Sequence, residues 1–202
     1  MKWGMVIDLK RCVGCYGCQL SCKAEHGTPR GIFFARVLKQ EEGQYPTVSQ
    51  TFLPVLCNHC EDPPCVEACP TGASFIWEDD GTVDIDHDIC VGCRTCMLAC
   101  PYSNRYLNDN EQAYYGDKGQ TPFENARTTQ HQEGVVMKCN FCRDRRQAGK
   151  EPACVANCPT VARHFGDLDD PTSNVSRLIK ERAGFVLHPD KGTKPNVYYL
   201  PA

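Results

Sequence analysis

The sequence predicts an α+β fold of short strands, short helices and long loops, laid out as two related modules. Three observations lead there. All sixteen cysteines of the 202 residues fall into four groups of four: Cys12, Cys15, Cys18, Cys22; Cys57, Cys60, Cys65, Cys69; Cys90, Cys93, Cys96, Cys100; and Cys139, Cys142, Cys154, Cys158. The groups alternate between two types. "IDLKRCVGCYGCQLSC" (7–22) lies over "IDHDICVGCRTCMLAC" (85–100) with Ile, Asp, every cysteine, Val, Gly and a Leu in register. "CNHCEDPPCVEACPTGA" (57–73) likewise resembles "CNFCRD" and "PACVANCPTVA" within 139–162, the second copy carrying a seven-residue insertion. A match of that length marks an internal duplication. Lastly, the stretches between cysteine groups leave room only for short elements.

In chain order, "GMVID", "SFIWE" and "TVDID" alternate as strands do, and Asp79-Asp80-Gly81 supplies a hairpin turn between the last two. The pairs Cys18/Cys22, Cys65/Cys69, Cys96/Cys100 and Cys154/Cys158 stand at i and i+4, on one side of a short helical turn. Pro70, Pro101 and Pro159 follow at once, where a helix is expected to stop. Residues 101–138 are polar, bear Gly and Asn, and have no period, which predicts a surface loop. "DPTSNVSRLIKERAG" predicts a helix capped by Thr172 or Ser173, with Val175, Leu178 and Ile179 buried and Gly184 at its end. "FVLHP" and "NVYYLP" read as an extended tail.

Apolar residues make up 41% of the chain and mean hydropathy is −0.45, so something besides aliphatic packing must help hold it together. A cysteine share this high can mean a disulfide scaffold. Here "MKWGMVIDLK" carries only a short apolar run before Asp8, and no run approaches the roughly 18 apolar residues of a membrane span. The expectation is a chain with no direct membrane span, cytoplasmic by the absence of a signal, with thiols kept reduced. With 22 basic and 25 acidic side chains and net charge −3, no nucleic-acid partner is expected.

Zinc needs four ligands from two separated pairs and gains nothing from a third thiol two residues beyond the second. CxxCxxC triplets followed by CxxxCP suit iron-sulfur cubanes, the last cysteine of such a run ligating the neighbouring cluster in two-cluster ferredoxins. Three of the four groups end in Cys-Pro, and sixteen thiolates at four per cluster give four [4Fe-4S] clusters, with iron as the metal. Gly14 and Gly92 sit where the backbone must curl round a cluster and need positive φ. Lys10, Arg11, Lys23, Arg94, Arg105, Lys138, Arg143, Arg145, Arg146 and Arg163 lie near ligands in sequence and either offset cluster charge or form an ordinary solvated face. His59 is expected beside a cluster without ligating it, while His26, His87, His131, His164 and His188 have no evident partner. Trp3, Trp77, Tyr198 and Tyr199 read as packing residues. No P-loop, GxGxxG, CxxCH or catalytic triad is present, so no catalytic residue is expected.

"GMVIDLKRCVGCYGCQLSCK", "CNHCEDPPCVEACPTGA", "CVGCRTCMLACPY", "CNFCRDRRQAGKEPACVANCPTVARHFGDLDDP" and "GTKPNVYYL" resemble the four-cluster electron-transfer subunit of the DMSO reductase family of molybdopterin enzymes. Polysulfide, thiosulfate, arsenate and DMSO reductases have such subunits. The resemblance implies two bacterial-ferredoxin-like modules. One, residues 1–50 plus 102–202, takes cysteine groups one and four; the other, 51–101, takes groups two and three. It implies clusters held by Cys12, Cys15, Cys18 and Cys158; by Cys22, Cys139, Cys142 and Cys154; by Cys57, Cys60, Cys65 and Cys100; and by Cys69, Cys90, Cys93 and Cys96. The first would face a large molybdopterin catalytic subunit and the last a membrane quinone-reactive subunit or a soluble electron carrier. Where some relatives have tryptophan and a three-iron cluster, this chain has Cys93, so four-iron clusters are expected throughout.

Spacing alone also fits a tandem arrangement, with group one joined to group two and group three to group four. The crossed arrangement requires the N-terminal strand to lie beside the C-terminal half. The alternative function is a free-standing polyferredoxin or a hydrogenase- or formate-linked carrier. The alternative compartment is the periplasm, reached by co-export with a partner bearing a twin-arginine signal.

Overall fold

The structure is a computed structural model and describes residues 1–109, 113–128 and 131–202. In chain order its elements are β1 (Trp3–Asp8), α1 (Gly17–His26), β2 (Ala35–Gln44), β3 (Thr47–Leu56), α2 (Pro64–Glu67), β4 (Ser74–Ile76), β5 (Val83–Ile85), α3 (Thr95–Ala99), β6 (Tyr106–Leu107), α4 (Pro122–Thr128), β7 (Val136–Met137), α5 (Arg143–Gln147), α6 (Ala153–Ala156), β8 (Arg163–Asp167), α7 (Asn174–Glu181) and β9 (Val197–Leu200). Short helices and strands are mixed throughout, as the α+β reading expects.

The central sheet has the order β8-β1-β9. Its middle strand is apolar on both faces, and Met5, Val6 and Ile7 are fully buried, as a strand covered on both sides should be. β1 pairs antiparallel with β8, Ile7 opposite Arg163, and parallel with β9. The small β4–β5 hairpin places Ser74 opposite Ile85. In the duplicated sequence Ile7 corresponds to Ile85 and Arg163 to Ser74, so the two pairs share one register although their order along the chain is reversed. The N-terminal strand therefore does lie beside the C-terminal half of the chain.

Each pair carries two short helices, α1 against α6 and α2 against α3. α2, α3 and α6 stop at or before the second cysteine of their pair, ahead of Pro70, Pro101 and Pro159. Cys22 is followed by Lys23 instead, and α1 runs on to His26, where Gly27 in the left-handed region ends it. α7 is capped as expected: the Ser173 hydroxyl accepts from the Ser176 amide, and Val175 is buried with Leu178 and Ile179 packed behind it.

Two expectations need correction, and two elements were not foreseen. Residues 101–138 are not simply a surface loop: β6 pairs with β7, α4 lies between them, and Val136 and Leu107 pack with Ala73, Val83 and Ile85. That stretch, grouped in sequence with the first module, thus helps close the second core. Residues 110–112 and 129–130 of it lie outside the described residues. "NVYYLP" is more than a tail, since β9 joins the central sheet with Val197, Tyr199 and Leu200 buried. Finally, β2 and β3 form a ribbon with ten residues in each strand that no sequence signal announced, and α5 runs into the first residues of the seven-residue insertion.

Candidate metal centres

All sixteen cysteines are free of disulfides. The arcs that carry them are curled by left-handed residues in four repeat-related pairs: Gly14 and Gly92 (φ 65° and 62°), Tyr16 and Arg94 (59° and 64°), His59 and Phe141 (43° and 52°), Gly72 and Val161 (71° and 51°). Non-glycine residues enter this region only when their surroundings enforce it. The curl turns amides toward sulfur. Ala162 N donates to Cys158 Sγ at 3.2 Å, Ser74 N to Cys69 Sγ at 3.4 Å and Phe141 N to Cys139 Sγ at 3.4 Å.

Groups of thiols distant in sequence meet in space. Cys69, Cys90, Cys93 and Cys96 line one cavity with Ala73, Ile85 and Val136. Cys22 sits in the field of Cys139, Cys154 and Cys142, and burial together with those thiols pushes its own thiol well up. Burial, then Cys57, Cys65 and Cys100, raises Cys60 to about 12. Cys12 is raised by burial and lies near Cys18 and Cys158. Among the described residues no three Cys, His, Asp or Glu donors converge on a point as one metal ion requires. Tetrahedral zinc, at about 2.3 Å from each thiolate, would draw its sulfurs to within about 4 Å of one another. The spread suits a multi-atom group.

The charges suit an anionic group. Of the ten basic residues near ligands, three are buried: Lys138, Arg105 and Arg163, at 5%, 3% and 2% exposure. Arg105 Nη2 donates to Cys65 Sγ at 3.0 Å and Arg163 Nη1 to Cys154 Sγ at 3.7 Å. Arg163 Nη2 is buried without a protein partner. The rest serve other ends. Arg143 and Arg146 pair with Asp80, Arg145 with Glu25, and Lys23 is held by the carbonyls of Thr28, Pro29 and Ile32. Lys10, Arg11 and Arg94 are exposed.

Two sets of contacts were not foreseen. Thr71, Thr95 and Thr160 bring hydroxyls within 3.7, 3.4 and 3.7 Å of Cys69, Cys93 and Cys158, and the repeated Cys-Pro-Thr was the available signal for two of them. His26, which had no evident partner, has Nε2 at 3.2 Å from Cys142 Sγ. His131 Nε2 meets the His26 carbonyl, and His164 lies 3.3 Å from the Asn174 amide. His59 is fully buried, accepts from the Val83 amide at 3.1 Å and stacks on Phe141, its counterpart in the repeat, at 3.8 Å. Trp3 stacks on Phe165, Trp77 donates to Asp84, Tyr198 packs beside Val175, and Tyr199 donates to the Pro54 carbonyl.

A fold of duplicated strand–helix units around sixteen free thiols, with buried cations that lack carboxylate partners among the described residues, defines an iron-sulfur protein. The 4Fe-4S dicluster domain matches residues 48–117 and 116–168. Over 98% of its length the chain is 44% identical to a protein of Halobacterium salinarum named as a dimethyl sulfoxide reductase iron-sulfur subunit, covering 79% of that chain. It is 41% identical to the arsenate respiratory reductase iron-sulfur subunit of Shewanella sp., over 99% of this chain and 96% of that one. With a tetrathionate reductase subunit of Salmonella typhimurium it shares 40% identity, over 98% and 72%. The chain belongs to the family of iron-sulfur electron-transfer subunits of molybdopterin oxidoreductases. It carries four [4Fe-4S] clusters and passes electrons without catalysing a reaction itself. Such clusters exchange single electrons at potentials set by charge, hydrogen bonds to sulfur and exposure.

Proposed function

We propose that the chain is a linear relay between a large molybdopterin catalytic subunit at one end and a membrane quinone-reactive subunit or soluble carrier at the other. It is read as two ferredoxin-like modules, residues 1–50 with 102–202 and residues 51–101. The first cluster is assigned to Cys12, Cys15, Cys18 and Cys158, the second to Cys22, Cys139, Cys142 and Cys154. The third falls to Cys57, Cys60, Cys65 and Cys100, the fourth to Cys69, Cys90, Cys93 and Cys96.

The observation that carries this reading is the gradient of exposure. Cys22, Cys139, Cys142 and Cys154 are all buried, and Cys60 and Cys65 with them, whereas Cys15 and Cys93 are exposed. The second set is thus wholly buried and the third has no exposed thiol, whereas the first and fourth have one exposed thiol each, which supports placing these two at the ends of the relay. The exposed ends also match in the repeat. Val13 and Leu20 are 59% and 62% exposed beside Cys15, and their counterparts Val91 and Leu98 are 66% and 88% exposed beside Cys93. Apolar side chains left in water at both ends suit docking of partners. The shared register of β1–β8 and β4–β5 supports joining group one to group four and group two to group three. In the division of modules, β3 crosses residue 50 and pairs with β2 throughout, so that boundary follows the cysteine groups and not the strands.

Among the described residues no helix is long and apolar enough to cross a membrane. The protein is assigned to the cytoplasm. The periplasm is the alternative place of work if the catalytic partner carries a twin-arginine signal, and cell fractionation separates the two. The test of the reading is purification of the tagged chain from its native host under anaerobic conditions. A large molybdopterin-containing polypeptide is expected to accompany it. Recovery alone, or with a hydrogenase or formate-linked enzyme, would replace the reading with that of a polyferredoxin or another carrier.

A further inference from the structure

We propose that each gap between neighbouring clusters holds one buried side-chain cation, and that the three cations set the potentials of the clusters on either side. Arg163 occupies the gap between the first and second, Lys138 that between the second and third, and Arg105 that between the third and fourth. The inference rests on the ligand sets proposed above.

None of the three makes an ion pair with a carboxylate among the described residues. Burying a cation without a counter-charge costs several kcal/mol, so the counter-charge must come from elsewhere. For each arginine it comes from thiolates of two sets, while Lys138 is held by backbone carbonyls beside them. Those bearing most strongly on Arg163 are Cys154, Cys18 and Cys22, which span the first and second sets. Those bearing on Arg105 are Cys65, Cys57 and Cys96, which span the third and fourth. Lys138 acts on Cys139 of the second set and Cys65 of the third, while its Nζ donates to the carbonyls of Cys139 and Val83.

An independent observation comes from the duplication. Arg163 opens β8, five residues after Cys158. The corresponding position in the other module, five residues after Cys69, opens β4 and is Ser74, too short to reach a cluster. Arg105 arrives there from a different part of the sequence. Its Nη1 donates to the Ser74 hydroxyl at 2.7 Å, and its Nη2 to Cys65, the counterpart of Cys154. The two modules thus put a guanidinium at the same place by different residues. Shared ancestry does not account for that coincidence, whereas an electrostatic requirement at that point does. A cation near two one-electron sites would stabilise the reduced form of both and lessen their mutual repulsion.

The test is a redox titration followed by EPR on the full, cluster-loaded chain. Arg163→Gln is expected to lower the midpoints of the first and second clusters by a tenfold change in the reduction equilibrium or more, about 59 mV for one electron, and to leave the third and fourth in place. Arg105→Gln is expected to do the reverse. Full iron content with all four midpoints unmoved, and only the melting temperature lowered, would reduce the arginines to structural counter-ions and overturn the inference. If Arg163→Gln fails to hold iron, Arg163→Lys takes its place. It retains the charge and should keep both midpoints within about threefold of wild type, and a tenfold fall there overturns the inference as well. The ligand sets are read separately, from whether Cys22→Ser and Cys142→Ser alter the same EPR signal. If they do not, the assignment fails; if they do and the arginine variants shift nothing, the charge inference alone fails.

Discussion

At Gly92 a methyl group would land 2.0 Å from the Gly134 carbonyl oxygen, with φ already at +62°. Backbone cannot swing aside, and the left-handed conformation by itself costs an alanine about 1–2 kcal/mol. At Gly14 the same methyl meets the Phe52 ring at 2.2 Å, a side chain where Gly92 meets backbone. At Gly72 it meets nothing within 4 Å. Thermal melts and iron content of the three alanine variants are therefore expected to rank Gly92→Ala as most damaging, then Gly14→Ala, then Gly72→Ala. Equal effects would mean that φ alone decides. The ligands were legible in the sequence because cysteine declares its chemistry and its spacing. Depth is not written the same way: Lys138, Arg105 and Arg163 look no different from Lys10 or Arg94 until the chain is folded around them.

Asp80 lies in the turn between β4 and β5, yet it accepts from Arg143 Nη1 at 2.7 Å and Arg146 Nη1 at 2.8 Å, both on α5. It thereby ties the β4–β5 hairpin to α5. Burial alone would raise its carboxyl, but hydrogen bonds from Thr82 and Arg146 hold it below the usual carboxylate range. A carboxyl depressed in the folded state contributes stability above its unfolded pKa and loses it as pH falls through the folded one. Asp80→Asn is expected to cost about 1–3 kcal/mol at neutral pH, with the difference from wild type shrinking below about pH 4 in parallel melts. A constant difference would show that the charge is not what matters. Among the elements, α7 and the β4–β5 hairpin were legible because a cap and a two-residue period announced them. The β2–β3 ribbon was not, because beyond Val37 its first strand is exposed and its second stays exposed until Phe52, leaving no buried face to impose a pattern. α4 is short and polar and escaped for the same reason, whereas the β6–β7 pair, although Val136 and Met137 are buried, has only two residues in each strand, too few for a period to show.

For the molecule as a whole, cysteines contribute to both larger apolar clusters of buried residues, and the aliphatic remainder of the smaller one is only Ala73, Val83, Ile85 and Val136. Cluster binding is therefore coupled to folding. Removal of iron by acid and chelator is expected to abolish the cooperative melt and most near-ultraviolet circular dichroism, and a native-like melt of the apo-chain would contradict this. The placing of the N-terminal strand beside the C-terminal half lay beyond the reach of spacing, which fits tandem and crossed arrangements equally. It took the pairing of β1 with β8, with Ile7 set opposite Arg163, to bring the two ends of the chain together. The central claim is a relay of four cubanes, and iron with acid-labile sulfide per anaerobically purified chain tests it most directly. The account predicts about sixteen of each; zinc in place of iron, or a content near eight, would contradict it.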